Sequence, residues 1–104
     1  MSDIQMSNEQ IVHKMNDALA LNGGLKKSIK FNFGDDGMIF AEGTHAELVD
    51  KDAACTVTVT KDNFLGIVFG GKDPMMAMIS GRLKLSGDRS VAMSLRSLFG
   101  SMEA

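Results

Sequence analysis

A chain of 104 residues predicts a single domain that spans residues 1–104. A fold of that length buries roughly two thirds of its unfolded surface. The net charge is −2 with dispersed lysines and arginines, which argues against a nucleic-acid partner. There is no signal-peptide pattern, no apolar run approaching the roughly 20 residues of a membrane span, and no Ser-Lys-Leu address, so a cytoplasmic location is expected.

The first elements are predicted to be a helix and a β-hairpin. Ser7 and Gln10 have the spacing of a capping box, and apolar side chains then recur on one face, which predicts a helix over 8–21. Apolar and polar residues alternate over 27–33 and 38–44 around a Gly-Asp-Asp-Gly turn, which predicts two hairpin strands.

The middle of the chain predicts a connector, a strand and a helix. Residues 45–52 are polar and are expected to connect. The alternation with threonine over 55–60 predicts a strand with one buried face and one wet face. Asp62 is placed to cap a helix that ends at Gly70-Gly71.

The last third predicts a short helix, a strand and a long helix. Asp73-Pro74 is a helix start, alternation over 82–86 predicts a strand, and an apolar stripe over 91–99 predicts the last helix. Because strands do not alternate regularly with helices, we expect an α+β domain with a mostly antiparallel sheet and helices on one face.

A catalytic or metal site is not indicated. His13 and His45 belong to no zinc-binding spacing, and Asp35-Asp36 between two glycines is explained by turn chemistry. Cys55 is interpreted as a buried inert thiol, although a nucleophile pair with His45 is the alternative. We therefore expect a chain that is not an enzyme, with no metal and no cofactor.

Lysines are densest at Lys26, Lys27 and Lys30. A solvated face is the simpler interpretation of this group, and a transient contact with a membrane surface is the alternative.

The opening of the last third is unusually rich in methionine, with three in the four positions 75–78. Methionine is flexible and fills irregular space, so it is common on surfaces that adapt to variable partners. The apolar residues of the second half predict either ordinary core or, in part, the wall of a cavity for an apolar ligand.

This stretch carries a resemblance to a known family. Gly-Lys-Asp-Pro over 71–74, Ala-Met-Ile-Ser-Gly-Arg-Leu-Lys-Leu-Ser-Gly-Asp over 77–88 and Ala-Met-Ser-Leu over 92–95 resemble the sterol carrier protein 2 family. That family often has Phe where this chain has Met78, Lys where it has Arg82 and Ile where it has Leu85. A methionine in place of phenylalanine leaves a more deformable wall, which favours a loosely selective pocket.

The resemblance implies a five-stranded sheet covered by helices, with an apolar tunnel between them. It also implies a non-catalytic monomer or weak dimer that binds sterols, fatty acids, acyl-CoAs or phospholipids and transfers them between membranes. Lys72, Arg82 or Arg96 are candidates for meeting a charged head group at the tunnel mouth. The last helix is the expected gate.

The side chains that we predict to line the tunnel are apolar and come from strands, short helices and the last helix. They are Phe31, Phe33, Phe40, Val57, Phe64, Ile67, Val68, Met75, Met78, Ile79, Leu83, Leu85, Met93 and Leu98. Two alternatives stay open: a methionine-rich groove that takes a partner helix, and an accessory domain that presents an acyl-CoA to a separate enzyme.

Overall fold

Five strands form one sheet, and the helices pack on one face of it. The structure, a computed structural model, describes residues 5–103. The helices are α1 (Asn8–Asn22), α2 (Lys61–Phe69), α3 (Pro74–Ile79) and α4 (Ala92–Glu103). The strands are β1 (Leu25–Asn32), β2 (Met38–Gly43), β3 (His45–Glu47), β4 (Cys55–Val59) and β5 (Leu83–Gly87). Single turns of 3-10 helix lie at Gly34–Asp36 and Arg89–Val91.

The sheet has the strand order β3-β2-β1-β4-β5 and is mixed. Three of its pairings are antiparallel, while β1 and β4 run parallel with Ile29 opposite Cys55 and Phe31 opposite Val57. The prediction of an α+β domain with a mostly antiparallel sheet is therefore confirmed, with one parallel pair at its centre.

The connection from β3 to β4 crosses the outer face of the sheet, because these strands lie on opposite sides of β1 and β2. An ion pair joins Lys30 Nζ to Asp50 Oδ1 at 2.9 Å, and Lys51 Nζ lies 5.5 Å from the ring centroid of Phe40. Phe40 pairs with Lys30 across the strands, on the face opposite to that of Phe31. The crossing segment thus covers Phe40 on the outer face.

Strand β3 corrects the prediction that residues 45–52 only connect. Ala46 is buried, pairs with Ala41, and exchanges two hydrogen bonds with the side chain of Asn16 on α1. The Ala46 N–H donates to Asn16 Oδ1 at 2.7 Å, and Asn16 Nδ2 donates to the Ala46 carbonyl at 3.1 Å. The amide of Asn16 thereby pairs the free backbone N–H and carbonyl groups of an edge strand. The sequence does not reveal this strand, because its three residues contain one buried apolar side chain and no alternation.

Four phenylalanines form the centre of the core between the sheet and the helices. The ring centroid of Phe64 lies 5.6 Å from that of Phe31, 5.1 Å from that of Phe33 and 5.7 Å from that of Phe99. Edge-to-face and tilted contacts of this kind add to the free energy gained by burial. The core is solid at this point, where α2, α4 and β1 meet.

The helix starts follow local capping. Ser7 and Gln10 form the predicted capping box, with the Gln10 N–H donating to Ser7 Oγ at 3.1 Å and the Ser7 N–H donating to Gln10 Oε1 at 2.8 Å. For α2 the predicted cap was wrong. Thr60, not Asp62, accepts from the Asn63 N–H at 3.1 Å, because the helix begins at residue 61.

Candidate ligand-binding site

A narrow apolar pocket of about 60 Å³ lies between α3, β5 and α4. Its apolar lining includes two methionines of α3, a leucine of β5 and two side chains of α4: Met75, Met78, Leu83, Leu95 and Phe99. The charged side chains that line it are Asp73 and Arg96. Where the resemblance implies a tunnel, the residues that the structure describes enclose a pocket below the usual ligand-site range of roughly 300–1,000 Å³.

Helix α3, which covers the pocket, buries little of its side-chain surface against the rest of the protein. Ala77 is its only buried residue. At 3.6 residues per turn, the four large apolar side chains of α3 spread over an arc of about 160° centred opposite Ala77. These four side chains are Met75, Met76, Met78 and Ile79. The helix is therefore anchored in the core by the methyl group of Ala77 alone, and its large side chains are exposed to solvent.

Both ends of α3 have glycines in the left-handed region of backbone space. Gly71 precedes it with φ +74° and Gly81 follows it with φ +81°, and no atom lies within 4 Å of an added Cβ at either position. Asp73 caps the helix by accepting from the Met75 N–H at 2.9 Å, as predicted. The short helix is thus well capped, but it is joined to the rest of the protein through two glycines whose backbone is conformationally free.

A second space lies on the other side of α3, against α2. This cleft has a volume of about 400 Å³ and is lined by residues that include Ile67, Met76 and Ala77, with Lys72 and Arg82 as its basic side chains. α3 is therefore a partition between a small pocket and a larger cleft.

Most of the predicted wall residues lie in the shared core. Nine of them are buried there: Phe31, Phe33, Val57, Phe64, Ile67, Val68, Leu83, Leu85 and Leu98. Only Leu83 of these also lines the pocket. Phe40 is buried on the outer face, outside this core, and does not meet the other predicted residues.

Four predicted wall residues are exposed: Met75, Met78, Ile79 and Met93. Met75 and Met78 reach the pocket, whereas Ile79 at 74% and Met93 at 76% exposure line neither the pocket nor the cleft.

Several residues line the pocket but are absent from the predicted wall, and most of them belong to α4. Ala92, Leu95, Arg96 and Phe99 follow one another at intervals of three, one and three residues, so they share one helical face. That spacing is visible in the sequence. Helix α4 also extends to residue 103 and buries Leu95, Leu98, Phe99 and Met102, so it is part of the frame. The expectation that α4 is the gate is not supported, because α3 is far less buried.

The lysine group at 26–30 is engaged in ion pairs at two of its three positions. Lys27 pairs with Asp88 and donates to Ser90 Oγ at 3.2 Å, and Lys30 pairs with Asp50. The Lys27 ammonium, together with hydrogen bonds from Ser90, holds the pKa of the Asp88 carboxyl far below its usual range. These lysines therefore tie strand β1 to two loops.

His45 and Cys55 do not form a reactive pair. Burial raises the pKa of the Cys55 thiol, which keeps it protonated and inert at neutral pH. His45 lies on β3 while Cys55 lies on β4, with β2 and β1 between them, so they are separated by about 14 Å at usual strand spacing. Within 5–103 no cluster of three or more His, Cys, Asp or Glu side chains could hold a metal ion.

Among the helices of residues 5–103, none combines the length and the apolar character that crossing a bilayer requires. The apolar surface of this part of the chain is instead concentrated around α3 and the pocket.

The fold and the pocket define a class of small α+β domains in which a short helix covers an apolar site. Residues 7–100 match the SCP-2 sterol transfer family, so the chain belongs to that family. The resemblance seen in residues 71–95 is thereby confirmed.

Individual proteins resemble this chain in sequence over about half of its length and in fold over most of it. The chain is 39% identical to human sterol carrier protein 2 over 49 residues, which is 47% of this chain and 9% of the human protein. It thus matches only about a tenth of that relative's length.

Two solved structures from Aedes aegypti share the fold. The solution structure of sterol carrier protein 2 with the C16 fatty acid palmitate has a TM-score of 0.73 at 17% identity, covering 94% of this chain and 98% of that one. The crystal structure of sterol carrier protein 2 like 2 has a TM-score of 0.71 at 21% identity, covering 86% of this chain and 94% of that one.

Proposed function

We propose that this chain binds a lipid with a long apolar portion in the pocket between α3, β5 and α4, and carries it between membranes without chemical change. The observation that carries the proposal is the apolar pocket beneath a weakly held helix. Membership of the SCP-2 sterol transfer family and the palmitate complex of a similar fold support it. Sterols, fatty acids, acyl-CoAs and phospholipids are the candidate ligands.

Binding requires α3 to move, because about 60 Å³ is too small for an acyl chain. The cleft of about 400 Å³ on the far side of α3 provides the room. If α3 shifts toward α2, the pocket grows at the expense of the cleft and reaches the size range of small-molecule sites. Gly71 and Gly81 are the hinges of this displacement.

Burial of the acyl chain supplies the driving force. Each CH₂ group removed from water gains about 0.8 kcal/mol, so a chain of about 16 carbons gains on the order of 10 kcal/mol before the cost of ordering it. Met75 and Met78 adapt to chains of different shape because their side chains are unbranched and flexible.

The pocket offers one cation, Arg96, to an anionic head group. Arg96 lines the pocket, and no carboxylate of residues 5–103 lies within 4.0 Å of its guanidinium. Asp73 also lines the pocket, but its carboxylate accepts the Met75 N–H at the start of α3. Among the candidate lipids we therefore favour those with an anionic head group, carboxylate or phosphate, which pairs with Arg96 while the tail stays buried, and we use a free fatty acid as the probe.

The test uses tryptophan substitutions as both obstacle and reporter, since the chain has no Trp or Tyr. Met78→Trp fills the pocket, and Met93→Trp is the control because Met93 lies on α4 outside the pocket. We expect wild type and Met93→Trp to bind fluorescently labelled hexadecanoate equally, and Met78→Trp to bind it at least about ten-fold more weakly.

Native mass spectrometry of freshly purified protein completes the test. A co-purifying lipid, displaced by hexadecanoate, agrees with the proposal. Absence of lipid and of hexadecanoate uptake, with Met78→Trp equal to wild type, would overturn it. A retained polypeptide would instead favour the partner-helix alternative.

A further inference from the structure

Helix α3 exposes an apolar surface that the ligand pocket does not use in full. Solvent reaches 55% of Met75, 60% of Met76, 37% of Met78 and 74% of Ile79. All four lie on the face opposite Ala77, so they project from the molecule as one blunt apolar tip. We call these four side chains the α3 tip.

The charge of the chain is divided unevenly around this tip. Residues 70–96 contain five lysines and arginines and two acidic residues, whereas the rest of the chain contains six basic and eleven acidic residues. Asp88 of that segment pairs with Lys27, whereas the Asp73 carboxylate, which caps α3, keeps its charge and lines both the pocket and the cleft. An acidic protein thus carries its apolar tip within a basic segment.

Three basic side chains of this segment flank the α3 tip directly. Lys72 and Arg82 line the cleft together with Met76, and Arg96 lines the pocket together with Met75. In the part of the chain that the structure describes, no carboxylate lies within 4.0 Å of their charged nitrogens.

We infer that the α3 tip docks on a bilayer surface that contains anionic lipid, with Lys72, Arg82 and Arg96 against the head groups. Apolar side chains flanked by three cations and one carboxylate, Asp73, have a net positive border, which matches an interface where acyl chains begin beneath a layer of negative charge. Charge complementarity therefore selects this occupant.

The shape of the tip argues for a bilayer over a protein groove. Helix α3 has six residues and is about 9 Å long. A partner groove reads anchors along one stripe of a longer helix, whereas these four side chains cover a broad arc on little more than one turn. A fluid interface accommodates such an arc without a matching cavity.

This inference names the partner for the transfer step of the proposed function, but it does not depend on ligand uptake. Docking through α3 would present the pocket and its moving partition to the membrane together. The experiment therefore measures docking on vesicles without added fatty acid, while ligand binding is measured without vesicles, so either can fail alone.

The decisive comparison is Ile79→Glu against Leu21→Glu. Ile79 is 74% exposed on the α3 tip, and Leu21 is 75% exposed on α1. In co-sedimentation with phosphatidylcholine vesicles that contain phosphatidylserine, we expect Ile79→Glu to bind about ten-fold more weakly or worse, and Leu21→Glu to bind like wild type. Circular dichroism checks that both variants are folded.

The basic flank is tested by Arg82→Gln against Lys14→Gln, which removes an exposed cation from α1. We expect about five-fold weaker docking for Arg82→Gln, little change for Lys14→Gln, and loss of wild-type docking at high salt.

Three outcomes would overturn the inference. One is equal binding to vesicles of pure phosphatidylcholine, and another is an equal loss in Ile79→Glu and Leu21→Glu. The third is no vesicle binding by wild type, with Ile79→Glu instead dissolving a dimer or releasing a polypeptide in sedimentation experiments.

Discussion

Helices α2 and α3 follow one another in the chain and are both strongly apolar, yet they have opposite environments. α2 buries Phe64, Leu65, Ile67 and Val68 in the core, whereas α3 buries only Ala77. The difference lies in placement and not in residue type, since the branched Ile79 on α3 is exposed while Met15 and Met102 are buried in the core. Apolar composition therefore predicts a helix but not whether its surface is core or site.

The largest expected effect contrasts a core ring with an exposed methionine. Phe64→Ala removes a side chain at 0% exposure that contacts three other rings, and we expect it to lower the free energy of unfolding by about 3–5 kcal/mol. Met76→Ala on α3 should change it by less than about 0.5 kcal/mol. Urea unfolding followed by circular dichroism measures both, and similar losses would erase the contrast between α2 and α3.

The next contrast compares a glycine of the frame with a hinge of α3. A Cβ on Gly87, at φ +98°, would lie 2.5 Å from the Ala54 carbonyl oxygen, so Gly87→Ala should cost about 3 kcal/mol. Gly81→Ala meets no neighbour and carries only the left-handed backbone cost of about 1 kcal/mol. Thermal unfolding of both variants tests this order, and an equal cost would show that α3 is held more firmly than its contacts suggest.

A smaller effect separates the caps of the two helices. Thr60→Ala removes the cap of α2 and should cost about 1 kcal/mol of global stability. Asp73→Ala removes the cap of α3 and should cost only a few tenths, because α3 can open while the rest stays folded. Hydrogen exchange adds a direct readout: Asp73→Ala should speed exchange at the Ala77 amide and leave α2 unchanged, and faster exchange in both helices would contradict local opening.

The smallest effect concerns the surface pair that joins β1 to the turn before α4. The pKa of Asp88 is lowered in the folded state, so the pair stabilises the fold above the unfolded carboxyl pKa of about 4 and loses this as pH falls further. Lys27→Met should therefore lower the thermal midpoint slightly at neutral pH, with the difference from wild type fading in acid. Lys14→Met is the control, and a gap that persists or widens at low pH would contradict the assignment.

The fold was predictable wherever a pattern repeated. Alternation in β1 and β4 and the stripe of α1 gave these elements, while β3 was missed because three residues with one buried alanine have no period. Alternation predicted the other four strands, and the family resemblance implied a five-stranded sheet without locating β3. Phe40 shows a further limit: it lies between Ile39 and Ala41 in a strand that is apolar on both faces, so alternation could not assign its side.

The site was predictable in part. The Asp73 cap and the methionines of α3 were recognised, and the α4 face with Leu95 and Phe99 has visible spacing. Whether an inward side chain meets solid core or open space depends on how whole elements sit together. That is why Phe31 and Met75 could stand in one predicted set although only Met75 reaches the pocket.

The packing of α1 against α4 has a consequence for synthesis on the ribosome. The buried face of α1, with Ile11 and Met15, acquires its partner helix only after residues 92–103 have been made. At usual elongation rates this interval lasts on the order of several seconds. During that time the nascent chain presents an apolar helix that chaperones can bind, so the domain closes late and as a unit.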